Sequence, residues 1–195
     1  MHSPTVQGLA LTRRPILATA IALFGGLGPL ALSAAHADDR RELVDRARRA
    51  LNRLEADDPR ADRLAHRARA ILVFPSVLKA GFVFGGETGN GVLFRQGEPP
   101  RFFNLSGGSW GLQIGAQDFG YALFFMTNES LHYLRDAAGF AAGSLPSLVI
   151  VNQGAAADID TTTALHDVYA FPFNQKGLMA NLTLEGTKIT PIHPD

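Results

Sequence analysis

Residues 81–120 read GFVFGGETGNGVLFRQGEPPRFFNLSGGSWGLQIGAQDFG, and their reading decides the fold. Eleven glycines stand among runs of Phe, Val, Leu and Ile. Glycine loses more freedom than other residues when a strand forms, so its density in a strand-like stretch points to bends, bulges or close backbone approach. A strongly curved sheet or a partly closed barrel uses all three. Gly81–Gly86 and Gly91–Gln96 flank Thr88-Gly89-Asn90, which predicts a hairpin turning at those three residues. Ser106-Gly107-Gly108-Ser109 reads as a further turn between strands. From Ser109 to Gln117 the period is two: Trp110, Leu112, Ile114 and Ala116 point one way, with Gly111, Gln113, Gly115 and Gln117 opposite. A phosphate loop over Gly85–Gly91 fits less well, because such loops lead into a helix N-terminus, often with lysine, and here strand residues follow.

Downstream, Tyr121–Met126 is apolar on both faces and predicts a central strand. Asn128-Glu129 opens a short helix through Arg135. Ser147–Val151, Ala164–Ala170 and Leu178–Glu185 are further strands, and Pro191–Asp195 reads as a loose tail. Upstream, Ile71-Leu72-Val73-Phe74 is a short apolar run stopped by Pro75. Before it the chain changes character. Residues 38–70 hold ten arginines, eight acids and no glycine; residues 71–195 hold six basic and ten acidic residues. Leu43, Val44, Ala47, Ala50, Leu51 and Leu54 recur at helical spacing over residues 40–54, with Asp38 and Asp39 placed to cap the helix. Asp57-Asp58-Pro59 ends that helix and starts another. In the second, Ala61, Leu64, Ala65, Ala68 and Ile71 share a face, and Arg60, Arg63 and Arg67 lie beside it.

The N-terminus reads as an export signal. Arg13 and Arg14 precede an apolar, small-residue stretch from Pro15 to Leu32, and Ala35-His36-Ala37 is an A-x-A cleavage site. A membrane anchor is the competing reading, but the stretch is barely long enough to span and is broken by Gly25, Gly26, Gly28 and Pro29. Thr12-Arg13-Arg14-Pro15-Ile16-Leu17 suits a twin-arginine signal as well as a Sec signal, so the export route stays open. The chain of 195 residues has a net charge of zero, which gives no basic excess for nucleic acid. It has no cysteine, so disulfides, thiol catalysis and thiolate metal sites are excluded.

Asp158-Ile159-Asp160 and His166-Asp167 are the acid/base candidates, since Asp-x-Asp on a strand puts two carboxylates on one face. Gly154–Ala157 and Thr161-Thr162-Thr163 around them also fit a polar loop with Asx turns. The histidines have no metal-ligand spacing, and no nucleophile-elbow motif occurs. A basic amphipathic helix can lie on anionic lipid, and the arginines of residues 38–70 suit that role. Their eight acidic neighbours suit an ordinary solvated face equally well.

Several blocks together carry a resemblance. These are Ile71-Leu72-Val73-Phe74-Pro75, Lys79-Ala80-Gly81-Phe82, Gly85-Gly86 with Gly89 and Gly91-Val92-Leu93, and Gly111-Leu112-Gln113-Ile114-Gly115-Ala116. Near the end stand Asp167-Val168-Tyr169-Ala170-Phe171, Lys176-Gly177-Leu178-Met179-Ala180 and Leu182-Thr183-Leu184-Glu185-Gly186. In order and spacing the chain resembles the SYLF domain family over about residues 60–190. The resemblance implies lipid binding, of the phosphoinositide type in eukaryotic members and at the envelope in bacterial ones. Some members bind actin, which an exported bacterial chain would not meet. Three departures stand out. Ala37-Asp38 replaces the cysteine that follows the signal in lipoprotein-like relatives, which predicts a chain without a lipid anchor. Val151-Asn152-Gln153-Gly154-Ala155 replaces a glycine-proline segment. As a third departure, the sequence predicts no accessory lipid- or peptide-binding module.

The expectation is therefore an α+β fold, with N-terminal Arg-rich helices packed on a curved, mainly antiparallel, barrel-like sheet. Residues 1–37 form a cleavable signal, 38–190 the SYLF-like domain and 191–195 a tail. The expected function is non-enzymatic binding of anionic membrane lipids at the cell envelope, without cofactor or metal. Arg60, Arg63, Arg67 and Lys79 are the leading headgroup contacts, with Arg95, Arg101 and Lys176 behind them. A periplasmic structural or protein-interaction module, docking an envelope partner, is the first alternative. A metal-dependent hydrolase using Asp158, Asp160, His166 and Asp167 is the second.

Overall fold

The N-terminal helix α1 (Pro29–Asp57) turns its apolar stripe inward, burying Leu43, Ala47, Leu51 and Leu54. The structure, a computed structural model, describes residues 29–81, 84–110, 115–135, 140–141, 147–151, 166–176, 184 and 186–192. After α1 comes the short helix α2 (Pro59–Ala65), then strands β1 (Ala70–Gly81), β2 (Phe84–Phe94), β3 (Arg101–Trp110) and β4 (Gly115–Phe125). Helix α3 (Asn128–Arg135) and strands β5 (Phe140–Ala141), β6 (Leu148–Ile150), β7 (Val168–Lys176) and β8 (Thr187–Ile192) complete the described elements. The strands form one sheet in the order β5-β8-β3-β2-β1-β4-β7-β6, antiparallel throughout except for the parallel pair β6–β7. The sheet curls into a half-barrel behind N-terminal helices, an α+β architecture as the sequence predicts.

Alternation along β4 shows why the sheet has two cores. Phe119, Tyr121, Leu123 and Phe125 face the inside of the curl, with Leu72, Phe74, Val77, Phe103, Leu105 and the α3 residues Leu131 and Leu134. Ala122 and Phe124 face the other way, beneath α1 and α2, with Val73, Val92, Tyr169, Phe171 and Phe173. Each large side chain buried this way contributes roughly 1.5–3 kcal/mol. A strand flanked by two cores must be apolar on both faces, and the sequence of β4 meets that requirement.

Several local expectations are corrected. Thr88-Gly89-Asn90 is not a turn: these residues lie inside β2, paired with β1 on one side and β3 on the other. The glycines there make room for rings and branched side chains from β1. A Cβ on Gly91 would stand 2.5 Å from the Phe74 ring, and one on Gly89 would stand 2.9 Å from a Val77 methyl. A Cβ on Gly120 of β4 would run into the ring of Phe173. Ser106–Ser109 likewise belongs to β3 and pairs with Gly85–Thr88. Ser109–Gln117 is not one strand, because β3 ends at Trp110 and β4 begins at Gly115.

Pro75 does not stop β1. The register with β2 jumps from Val73 to Leu78, and that with β4 jumps from Phe74 to Val77. A bulge at this point absorbs a residue that has no N–H to offer the ladder. Ser76 ties the bulge to β4 by donating from Oγ to Asp118 Oδ1 at 2.7 Å.

The helix expected over residues 40–54 begins earlier, at Pro29, so Asp38 and Asp39 lie within α1 rather than at its cap. The second helix is shorter than its apolar spacing suggests: α2 ends at Ala65, and Ala70 already belongs to β1. Asp58 caps α2, accepting from the Arg60 backbone N–H at 2.8 Å, and Pro59 follows it in the first turn. The expected tail is strand in part, since Pro191 and Ile192 pair with Phe103 and Phe102. The expected strand Leu178–Glu185 lies outside the described residues apart from buried Leu184, and so do residues 1–28 of the expected signal.

Candidate functional site

The seven predicted lipid contacts separate to opposite ends of the sheet. At one end, where β1 starts at Ala70, lie Arg63 and Arg67 of the α2 region, Arg95 just past β2 and Arg101 at the start of β3. At the other end lie Lys79 near the close of β1, opposite Gln117, and Lys176 at the close of β7, opposite Asp118. Ten residues of extended chain separate Arg69 from Lys79, about 30 Å.

The two ends hold their charge differently. Arg63 and Arg67 are exposed, as is Arg69, which leads into β1, and none of the three has an ion pair among the described residues. Arg60 is drawn in instead. Its guanidinium donates to Asp58, with Nη2 to Oδ2 at 2.7 Å and Nε to Oδ1 at 3.0 Å. That hydrogen bond holds the Asp58 carboxyl below the usual carboxylate range, against a smaller opposing effect of burial. Arg60 is therefore bound up with the α2 cap and stands apart from the exposed arginines.

Lys79 is the larger departure from expectation. Its side chain is 12% exposed, and its Nζ lies 4.0 Å from Oε2 of Glu87, which is 5% exposed and directly opposite on β2. Burial raises the Glu87 carboxyl above its ordinary range, and the Lys79 charge pulls it part of the way back. The nearby Tyr121 hydroxyl is buried with no hydrogen-bond partner among the described residues. Burial, then the Glu87 charge, pushes this phenol well up. This buried group is built for the interior of the curl rather than for a membrane surface.

At the arginine end, α1, the turn after α2 and the strand ends of β1 and β2 enclose a cleft of about 510 Å³. Arg48, Arg69, Arg95 and His66 supply its cationic or ionisable lining, Glu55 and Glu98 its acids, and Leu51, Ile71 and Phe94 an apolar floor. Arg95 is answered by Glu98, with Nη1 to Oε1 at 2.6 Å. His66 leans on Asp62 at 3.5 Å. Arg48 lies over the Phe94 ring, 5.2 Å from its centroid. Arg48 and Arg69 are absent from the sequence-derived set. Arg48 could have been found from the helical wheel, where it stands one turn from Leu51 and Asn52 on the cleft side of α1. Arg69 carries no pattern of its own.

The acid/base candidates do not assemble here. His166 Nδ1 lies 3.1 Å from Ser147 Oγ, and the Asp167 carboxylate meets the Thr127 hydroxyl at 3.2 Å, so both serve the junction of β6, β7 and α3. Asp158 and Asp160 lie outside the described residues. Among the described residues, no group of three or more His, Asp or Glu side chains is placed to hold a metal ion. No described helix is long and apolar enough to cross a membrane.

These features define an α+β protein whose arginine-bearing helices cover one face of a curled sheet. Residues 106–193, from β3 through β8, match the family model described as Ysc84, Las17-binding protein actin regulator, which is consistent with a protein of the SYLF-domain family. That family relates to lipid binding and actin regulation and is not a known enzyme family. No curated protein matches the chain.

Proposed function

We propose that this protein is a non-enzymatic, exported envelope protein that binds anionic phospholipid, and that the arginine end of the sheet meets the headgroups. The observation that carries this reading is the group of exposed arginines Arg63, Arg67 and Arg69 around the start of β1, which have no ion pair among the described residues. An exposed guanidinium without a carboxylate partner keeps its charge for an outside anion, and each contributes about 1 kcal/mol near an anionic surface. The Arg13-Arg14 segment and the Ala35-His36-Ala37 site support export, with cleavage near Ala37.

Vesicle co-sedimentation tests the proposal. The purified protein is expected to sediment with phosphatidylglycerol vesicles at low salt and to release as salt shortens the Debye length. Arg63→Glu together with Arg67→Glu is expected to weaken sedimentation by about tenfold or more. Binding by this double variant equal to that of the parent would overturn the reading.

A further inference from the structure

Of the three arginines that line the cleft beside α1, Arg95 is neutralised by Glu98. Arg48 and Arg69 are not, since neither has an ion pair among the described residues. Both are held in place. Arg48 is steadied by its stacking on Phe94 at 5.2 Å, an attraction between cation and ring face. The backbone of Arg69 is pinned where its N–H donates to the Phe125 carbonyl at 2.7 Å, fixing the segment to the end of β4. Two arginines from separate segments therefore line one cleft without carboxylate partners among the described residues. Such planar forks match the oxygens of a phosphate group, to which each can donate two parallel hydrogen bonds. The apolar floor of Leu51, Ile71 and Phe94 does not compete for them.

The acids on the wall do little to fill this role internally. Glu98 is engaged by Arg95. The Glu55 carboxyl is raised above its ordinary range by burial and then by Asp62, so it resists charging more than an exposed glutamate does. The cleft volume of about 510 Å³ lies within the range of small-ligand sites and exceeds what a bare phosphate would fill. Room remains for the glycerol or sugar that a phosphate ester carries.

We infer that this cleft is a binding site for a phosphate ester, with Arg48 and Arg69 clasping the phosphoryl oxygens and the rest of the ester occupying the volume that the phosphate leaves. The chemistry is shared by a phospholipid headgroup and a free phosphate ester, and the membrane form of the inference rests on the lipid-binding reading above.

The test uses glycerol 1-phosphate as a soluble probe, followed by NMR of the arginine Nε–H signals. In parallel, it uses phosphatidylcholine vesicles with and without phosphatidic acid. Arg48→Gln with Arg69→Gln is compared with Arg49→Gln and Arg53→Gln, which remove the same charge from an exposed part of α1 outside the cleft lining. Arg48→Lys with Arg69→Lys keeps the charge and the stems but loses the forks, and guards against a folding defect. The cleft pair is expected to lose at least about tenfold in affinity for the soluble probe, the lysine pair an intermediate amount, and the control pair less than about twofold. Equal weakening by the cleft and control pairs, or no response to glycerol 1-phosphate, overturns the site. Vesicle binding untouched by the cleft pair also overturns its membrane form, while leaving lipid binding through other arginines in place. Specific binding of the soluble probe without vesicle binding keeps the site and removes the lipid reading.

Discussion

The two ends of the curled sheet treat charge in opposite ways. Around Ala70, guanidiniums stand in water, several without an ion pair among the described residues. Toward Gly81, one ammonium and one carboxylate are enclosed inside the curl at 4.0 Å from each other, beside a phenol with no hydrogen-bond partner among the described residues. A charge in water costs little to keep and is free to bind something else. A charge inside the fold is committed to its partner, because removing either one leaves the other desolvated and uncompensated. The arginine end is thus suited to recognition and the Lys79 end to internal structure.

The sharpest way to break this contrast is Lys79→Met. At neutral pH it is expected to cost about 3 kcal/mol in urea unfolding, because Glu87 is left without its counter-charge. The loss should shrink toward about pH 5, and the sign follows from Glu87. A carboxyl raised in the folded state favours folding fully below its ordinary value of 4.5, and this contribution is lost as pH rises through the raised value. Removing Lys79 raises the carboxyl further and widens that window upward. A deficit that is small, or the same at both pH values, would show that the pair is not structurally coupled.

A pair of glycine substitutions tests whether the curl depends on space for rings. Gly91→Val drives a side chain into Phe74 and the Val73 carbonyl and is expected to cost about 2 kcal/mol. Gly108→Val, where an added Cβ meets nothing within 4 Å, is expected to be neutral or slightly stabilising. Similar melting temperatures for the two would remove this account of the glycines. The smallest loss of stability is expected at Asp58→Ala, about 1 kcal/mol, from loss of the α2 cap and of its bond to Arg60, with Gly108→Val as the near-neutral control. Because the Asp58 carboxyl is lowered in the folded state, its contribution is present above its ordinary value of 3.8 and disappears as pH falls through the lowered one. The deficit should therefore close in acid, read from urea midpoints across that range. This closing lies at lower pH than that of Lys79→Met, and both deficits shrink as the pH falls.

The features legible in the sequence were those set by local periodicity. The stripe Leu43, Ala47, Leu51 and Leu54 follows from helix geometry alone, and Tyr121–Phe125 announces a strand with a core on either side. Thr88-Gly89-Asn90 misled because glycine serves both turns and ring-filled sheets. The choice between them was made by Phe74 and Val77, which sit on another strand. Pro75 misled for a related reason, since a bulge lets a strand carry proline through its middle. At the site, exposed Arg63 and Arg67 were legible from their place beside the apolar face of the second helix. Lys79 was not, because its partner Glu87 comes opposite only through the register of β1 on β2. Arg48 and Arg69 escaped because a cleft made by separate segments leaves no mark in any one of them.

The place of β8 in the sheet has a consequence for the moment the chain is made. β3 is finished early in the sequence, yet the strand that covers its outer side is β8, with Phe102 paired to Ile192 and Gly107 to Thr187. Until Thr187–Ile192 leave the ribosome, β3 offers a bare row of amides and carbonyls to any passing chain. The newborn protein is therefore adhesive along β3 until β8 has emerged, and a truncation that removes Thr187–Ile192 would prolong that state for the life of the molecule.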